Sequence, residues 1–128
     1  MTRWALELER DPAAAARARA WLTQALGDGP VLAPPDRADL LVMASELVTN
    51  VIDHTVSKPR LALTCTEDEV LVEVSDDHPG TPLVRNLEPG RVGGNGLRIV
   101  DAWSRRWGVE RYPDDGETVW FTVAIAVP

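Results

Sequence analysis

Ser45-Glu46-Leu47-Val48-Thr49-Asn50 decides how this chain is read. The stretch lies inside an apolar run that reads as a helix. A spacing of four puts Glu46 and Asn50 on one helical face. Glu46 is a carboxylate able to orient or deprotonate a hydroxyl. Asn50 offers a neutral amide oxygen that binds a hard cation without adding charge. Together they suit phosphoryl chemistry on a magnesium-bound nucleotide. Taken singly, the pair also fits a polar border beside an apolar stripe.

Working outward, Asp36 reads as an N-cap for this helix, and Leu40, Ala44, Leu47, Val48 and Val51 fall on its apolar side. Glu46, Asn50 and Asp53 share the adjoining face, and Lys58-Pro59 ends the element. Upstream, Trp4 to Glu9 alternates as a strand does. Asp11-Pro12 offers a cap and a first-position proline for a helix bearing Ala14, Ala18, Trp21, Leu22 and Ala25, closed by Gly27. Residues 27–35 read as a loop. Downstream, Leu61–Cys65 and Val70–Val74 alternate as two strands joined by a turn at Glu67-Asp68-Glu69. A Pro- and Gly-rich loop covers 81–94. A third helix begins near Asn95, with Leu97, Val100, Trp103 and Trp107 spaced along one face. Asp114-Asp115-Gly116 reads as a turn before a last strand through Thr118–Val123. The order is strand, helix, helix, strand, strand, helix, strand, which predicts two layers.

Composition narrows the function classes. The 128 residues suffice for one domain, 1–128, and 45% of them are hydrophobic, as in a globular protein. No apolar run is long enough for a bilayer, and Met1-Thr2-Arg3-Trp4 lacks the features of a signal peptide. The single cysteine, Cys65, sits in an apolar alternation with no metal-ligand companions. A cytoplasmic protein without membrane contact is expected. The net charge of −7 argues against direct nucleic-acid binding. It suits a protein partner bearing a basic patch.

Three further groups carry candidate chemistry. Asp76, at a strand end in Asp76-Asp77-His78-Pro79-Gly80, can accept the exocyclic amine hydrogen of adenine, a contact that discriminates strongly between bases. Gly80 allows a turn or a close approach to the base. Gly93-Gly94-Asn95-Gly96-Leu97 leads into a helix, where backbone N–H groups favour phosphate. The missing Lys-Ser or Lys-Thr rules out a Walker A loop. Thr118, just after Gly116, can support the nucleotide-binding Asp. Each of these also has an ordinary structural reading as a surface turn, a connection or a strand residue.

In this order the parts resemble the ATP-binding domain shared by gyrase, heat-shock chaperone ATPases, histidine kinases and mismatch-repair ATPases, the GHKL superfamily with its Bergerat fold. The phrases carrying the resemblance are Ser45–Asn50 with His54, Val74-Ser75-Asp76-Asp77, Gly94–Asp101, Trp107-Gly108-Val109 and Thr118-Val119-Trp120-Phe121. They span nearly the whole chain. It looks most like the small stand-alone bacterial regulators of the anti-sigma-factor serine kinase type.

The resemblance implies an α+β fold, a two-layer α/β sandwich whose mixed, mainly antiparallel sheet is covered on one face by helices. It implies ATP and Mg2+ as cofactors, with Asn50 holding the metal and Glu46 serving as catalytic base. Asp76 would bind adenine, with Gly80 near the base and Thr118 behind it. Gly94, Asn95, Gly96 and Leu97 would contact phosphates, and 81–93 would form a lid. The implied partners are a sigma factor and an anti-anti-sigma protein, and relatives suggest a homodimer. An alternative is a non-catalytic module of the same fold that regulates a partner by docking, with weak or no ATP binding. The family pattern has Gly two residues after the adenine-binding Asp. This chain has His78, whose imidazole would crowd the base or stack on it. Arginines are sparse in the lid, with Arg85 and Arg91 alone.

Overall fold

The computed structural model describes residues 1–32, 36–77, 95–112 and 115–126. Among these, five strands and three helices follow the order β1 (Thr2–Glu7), α1 (Ala14–Leu26), α2 (Arg37–His54), β2 (Arg60–Cys65), β3 (Glu69–Asp76), α3 (Asn95–Trp103), β4 (Arg106–Tyr112) and β5 (Gly116–Ala124). The strands form one sheet in the order β1-β2-β3-β5-β4. Every pairing among them is antiparallel. The α+β, two-layer expectation holds, while the anticipated mixed character is absent among the described residues.

Alternation along the strands sets the layers. On β3, Val70, Val72, Val74 and Asp76 are buried while the intervening residues are partly exposed. The register carries that face across the sheet, from Leu63 to Val72 to Phe121 to Trp107. Against it pack Leu22, Leu40, Met43, Leu47, Val51 and Leu97 from the three helices. Fully burying side chains of this size stabilises the fold by roughly 1.5–3 kcal/mol each before chain entropy is counted.

α2 anchors the helical layer, touching both α1 and α3 and resting on β3. Its start is fixed by a reciprocal capping box. The Asp36 carboxylate accepts from the Asp39 N–H at 3.0 Å, and the Asp39 carboxylate accepts from the Asp36 N–H at 3.2 Å. Its end is held by Arg10, whose guanidinium donates to the carbonyls of Ile52 at 3.1 Å and Ser57 at 3.0 Å. The helix stops at His54, before Lys58-Pro59. α1 begins at Ala14 rather than Pro12, because Asp11 forms a local turn first, accepting from the Ala13 N–H at 2.8 Å. Gly27 ends it with a φ of 52°.

The sequence pattern missed β4. Trp107 stands four residues after Trp103, a spacing that predicts a place on the third helix, yet it lies on β4 opposite Phe121. The helix ends at Trp103, and the Trp107 indole N–H donates to the Asp101 carboxylate at 2.8 Å, tying the new strand back to α3. β4 is an edge strand rich in charge, so its apolar alternation is short. Gly108 in that strand makes room for Trp120. A Cβ there would stand 2.8 Å from the indole ring, which also carries the Arg106 guanidinium 5.9 Å from its centroid.

Candidate functional site

α2 presents the polar pair one turn apart. Glu46 is half-buried. Asn50 is only 5% exposed, and its Nδ2 has no hydrogen-bond partner. Leaving a buried amide unpaired costs about 1–3 kcal/mol, so this residue is not there for the stability of the fold. Turning the amide over puts its oxygen where the nitrogen stands, because the two ends of the group are nearly the same shape. The position then presents a neutral oxygen acceptor. The donor chemistry fits a hard cation, which takes carboxyl, carbonyl and amide oxygens. Among the described residues, no cluster of three or more His, Cys, Asp or Glu side chains forms a ready metal cage.

The second part lies at the end of β3, on which α2 rests. Asp76 is 3% exposed and shares the helix-covered face with Val72 and Val74. Directly opposite it on β5 stands Glu117, also 3% exposed. Glu117 in turn lies opposite Arg111 on β4, with Arg111 Nε 3.6 Å from Glu117 Oε2. Asp76, Glu117 and Arg111 thus form a row across three strands at one end of the sheet. Gly116 makes this row possible. Its φ is 95°, and a Cβ there would collide with the Asp76 carbonyl oxygen. Only glycine lets β5 begin so close to Asp76.

Thr118 does not stand beside Asp76. It is paired with Ser75, and the two hydroxyls are hydrogen-bonded at 2.7 Å. Ser75 alternates with Asp76, so Thr118 belongs to the face of the sheet opposite the helices. The neighbour of Asp76 is the residue before it. The period of two could have revealed this from sequence, because Val119, Phe121 and Val123 place the odd-numbered positions, and therefore Glu117, on the apolar face. Arg111 carries no signal in the sequence because β4, which presents it, carries none.

Asn95 and Gly96 open α3, the helix that packs on α2. Leu97 in its first turn is fully buried, so its side chain belongs to the core and only its backbone is available to a ligand. The first four N–H groups of a helix lack partners within it, which suits an anion. Gly80, Gly94, His78 and the 81–93 lid lie outside the described residues. A groove lined by Arg3, Glu7, Arg60, Glu73 and Ser75 lies on the face of the sheet away from Asp76.

No described helix is long and apolar enough to cross a membrane. Comparison with curated proteins gave no match. Among solved structures, the fold is similar to Acinetobacter baumannii histidine kinase AdeS, with a TM-score of 0.53 at 15% identity, covering 98% of this chain and 68% of that one. At that identity the likeness speaks for the fold alone. A family model described as the histidine kinase-like ATPase domain matches residues 8–123. The match takes in α2, the Asp76 strand end, the start of α3 and most of β5, and so the chain belongs to the histidine kinase-like ATPase domain family.

Proposed function

We propose that the chain binds ATP with magnesium and is a regulatory serine/threonine protein kinase of the anti-sigma type. It would phosphorylate an anti-anti-sigma protein on a serine and sequester a sigma factor. The observation carrying this reading is the buried, unpartnered Asn50 amide with Glu46 one turn before it on α2. Asn50 would supply the protein oxygen to the metal, Asp76 would accept from the adenine amine, and the first turn of α3 would receive phosphate. Magnesium, when bound, neutralises charge on the phosphates. Glu46 orients the substrate hydroxyl and takes its proton. Phosphorylation adds roughly −1.5 to −2 charges to the antagonist and would break its complex with this acidic chain by like-charge repulsion.

The test is incubation of the protein with ATP, magnesium and the cognate antagonist, following phosphate on serine. Phosphoserine that disappears with Glu46→Gln supports the reading. ATP bound without any transfer to the antagonist refutes the kinase and leaves a nucleotide-binding regulator that works by docking.

A further inference from the structure

On the face of the sheet away from the helices, β3, β5 and β4 line a groove of about 210 Å³. That is below the roughly 300–1,000 Å³ of sites for small molecules and cofactors, and it suits an occupant the size of one side chain. Leu71 and Trp120 supply its apolar lining. Gly108 lets the Trp120 indole lie across β4, since a Cβ there would meet the ring at 2.8 Å. Thr122 also lines the groove. It is 1% exposed, and its Oγ1 has no hydrogen-bond partner among the described residues. A buried hydroxyl left without a partner costs the fold stability.

The charge of the groove is one-sided. Three carboxylates, Glu69, Glu73 and Glu110, stand against one guanidinium, Arg106, a balance of three minus one, or −2. Arg106 is already matched by Glu69 at 2.6 Å. Glu110 accepts from the neutral Tyr112 hydroxyl at 2.7 Å, which leaves its charge uncancelled. Glu73 lies in the middle of the central strand, half-buried and opposite Trp120, and among the described residues it forms no ion pair. Strands disfavour glutamate, and a half-buried carboxylate without a cation gains nothing from that place in the sheet.

We infer that this groove is a docking site for an arginine side chain presented by a protein partner. The guanidinium pairs with Glu73, its aliphatic stem lies along Leu71 and Trp120, and one N–H is donated to Thr122 Oγ1. Glu110, exposed at the mouth, adds negative charge. Arg106, with its guanidinium 5.9 Å from the Trp120 ring centroid, shows that this indole accepts such a group. Arginine suits the groove better than lysine, because it is planar, more weakly hydrated and stacks on aromatic rings. Tryptophan and arginine are also the residues that most often dominate protein interfaces. The net charge of −7 favours the approach of a basic partner. The groove lies on the other face of the sheet from Asp76 and is independent of the nucleotide reading.

The experiment is NMR titration of the isotope-labelled whole chain with N-acetyl-arginine amide and with its lysine and citrulline counterparts. The Trp120 indole N–H signal should shift and saturate with the arginine compound. The citrulline compound, nearly the same in shape but uncharged, should leave the signal in place, and the lysine compound should bind more weakly. Glu73→Gln should weaken arginine binding by at least about threefold and leave the rest of the amide spectrum, and so the fold, unchanged. Shifts that do not saturate, equal binding of arginine and either counterpart, or arginine binding that Glu73→Gln does not alter overturns the inference. Movement of the same signal when the protein alone is concentrated assigns the face to a second copy of the chain and overturns it as well.

Discussion

Asp76 and Glu117 face one another across β3 and β5, and the second is tied to Arg111 at 3.6 Å on β4. Arg111 is half exposed, whereas the Glu117 side chain is almost wholly buried. Removing an ion-pair partner from a buried charge weakens its compensation. Arg111→Met should therefore destabilise the protein by about 1–2 kcal/mol, less than the 3–5 kcal/mol of a fully buried pair because solvent screens the arginine. Adding Glu117→Gln should recover most of the loss. Urea denaturation of the two single variants and the double variant measures the coupling.

Gly116 is the residue that lets this pair form. Gly116→Ala forces a Cβ against the Asp76 carbonyl at a φ of 95°. The expected loss is at least about 2 kcal/mol, from the left-handed conformation and the steric displacement together. A melting temperature within a degree of the wild type would show that the strand start is less constrained than its geometry indicates.

Asn50 predicts the opposite sign. Its Nδ2 is buried without a partner, so Asn50→Ala removes an unsatisfied polar group along with some packing. The melting temperature should hold or rise, in contrast to the loss of roughly 2–4 °C per kcal/mol expected from ordinary core damage in a chain of this size. Thermal melts followed by circular dichroism decide it.

Arg10 bears on the same helix from outside. It donates to carbonyls at the α2 C-terminus from the segment between β1 and α1. Arg10→Ala should speed amide hydrogen exchange in the last turn of α2, around Val51 to His54, and leave the capped start near Asp36 unchanged. Uniform acceleration across the helix would mean that Arg10 supports global stability and not this terminus.

Cys65 reports on the native state. Burial raises its thiol pKa, so the folded protein favours the neutral thiol, and the thiolate needed for alkylation is scarcer than in an unfolded chain. Maleimide or iodoacetamide modification at pH 8 should be slower in the native protein and return to the free-cysteine rate in denaturant. The linkage has a sign: the folded state binds this proton more tightly, so the stability it contributes is present at neutral pH and declines as pH rises through the folded pKa.

Long-range periodicity was the part of this fold legible in sequence. α2 announces itself by its Asp36 cap and its apolar stripe, β2 and β3 by alternating runs on either side of a turn, and β5 by β-branched and aromatic residues after one. β4 is hidden in the sequence because Trp107 repeats the helical spacing of Leu97, Val100 and Trp103, and the pairing of β4 with β5 together with the indole's bond to Asp101 shows that the chain has already turned back. Glu46, Asn50 and Asp76 could be singled out because a charge or amide in an apolar pattern is conspicuous. Glu117 was not, because an acidic residue after a turn looks like surface. Its burial follows from strand register, which depends on Gly116 meeting Asp76 across the sheet. Thr118 drew attention through its residue type, yet one position along a strand exchanges the two faces.

The site rests on Asn50, and calorimetric titration of magnesium-ATP into the wild type and Asn50→Ala tests it. The wild type should bind with one site per chain, and Asn50→Ala, folded by its melting curve, should lose magnesium-dependent binding by at least about a hundredfold, near the 3 kcal/mol of a metal-holding contact. Glu46→Gln should bind as the wild type does. Equal affinity in the wild type and folded Asn50→Ala, or no binding to the wild type at millimolar nucleotide, would contradict the assignment.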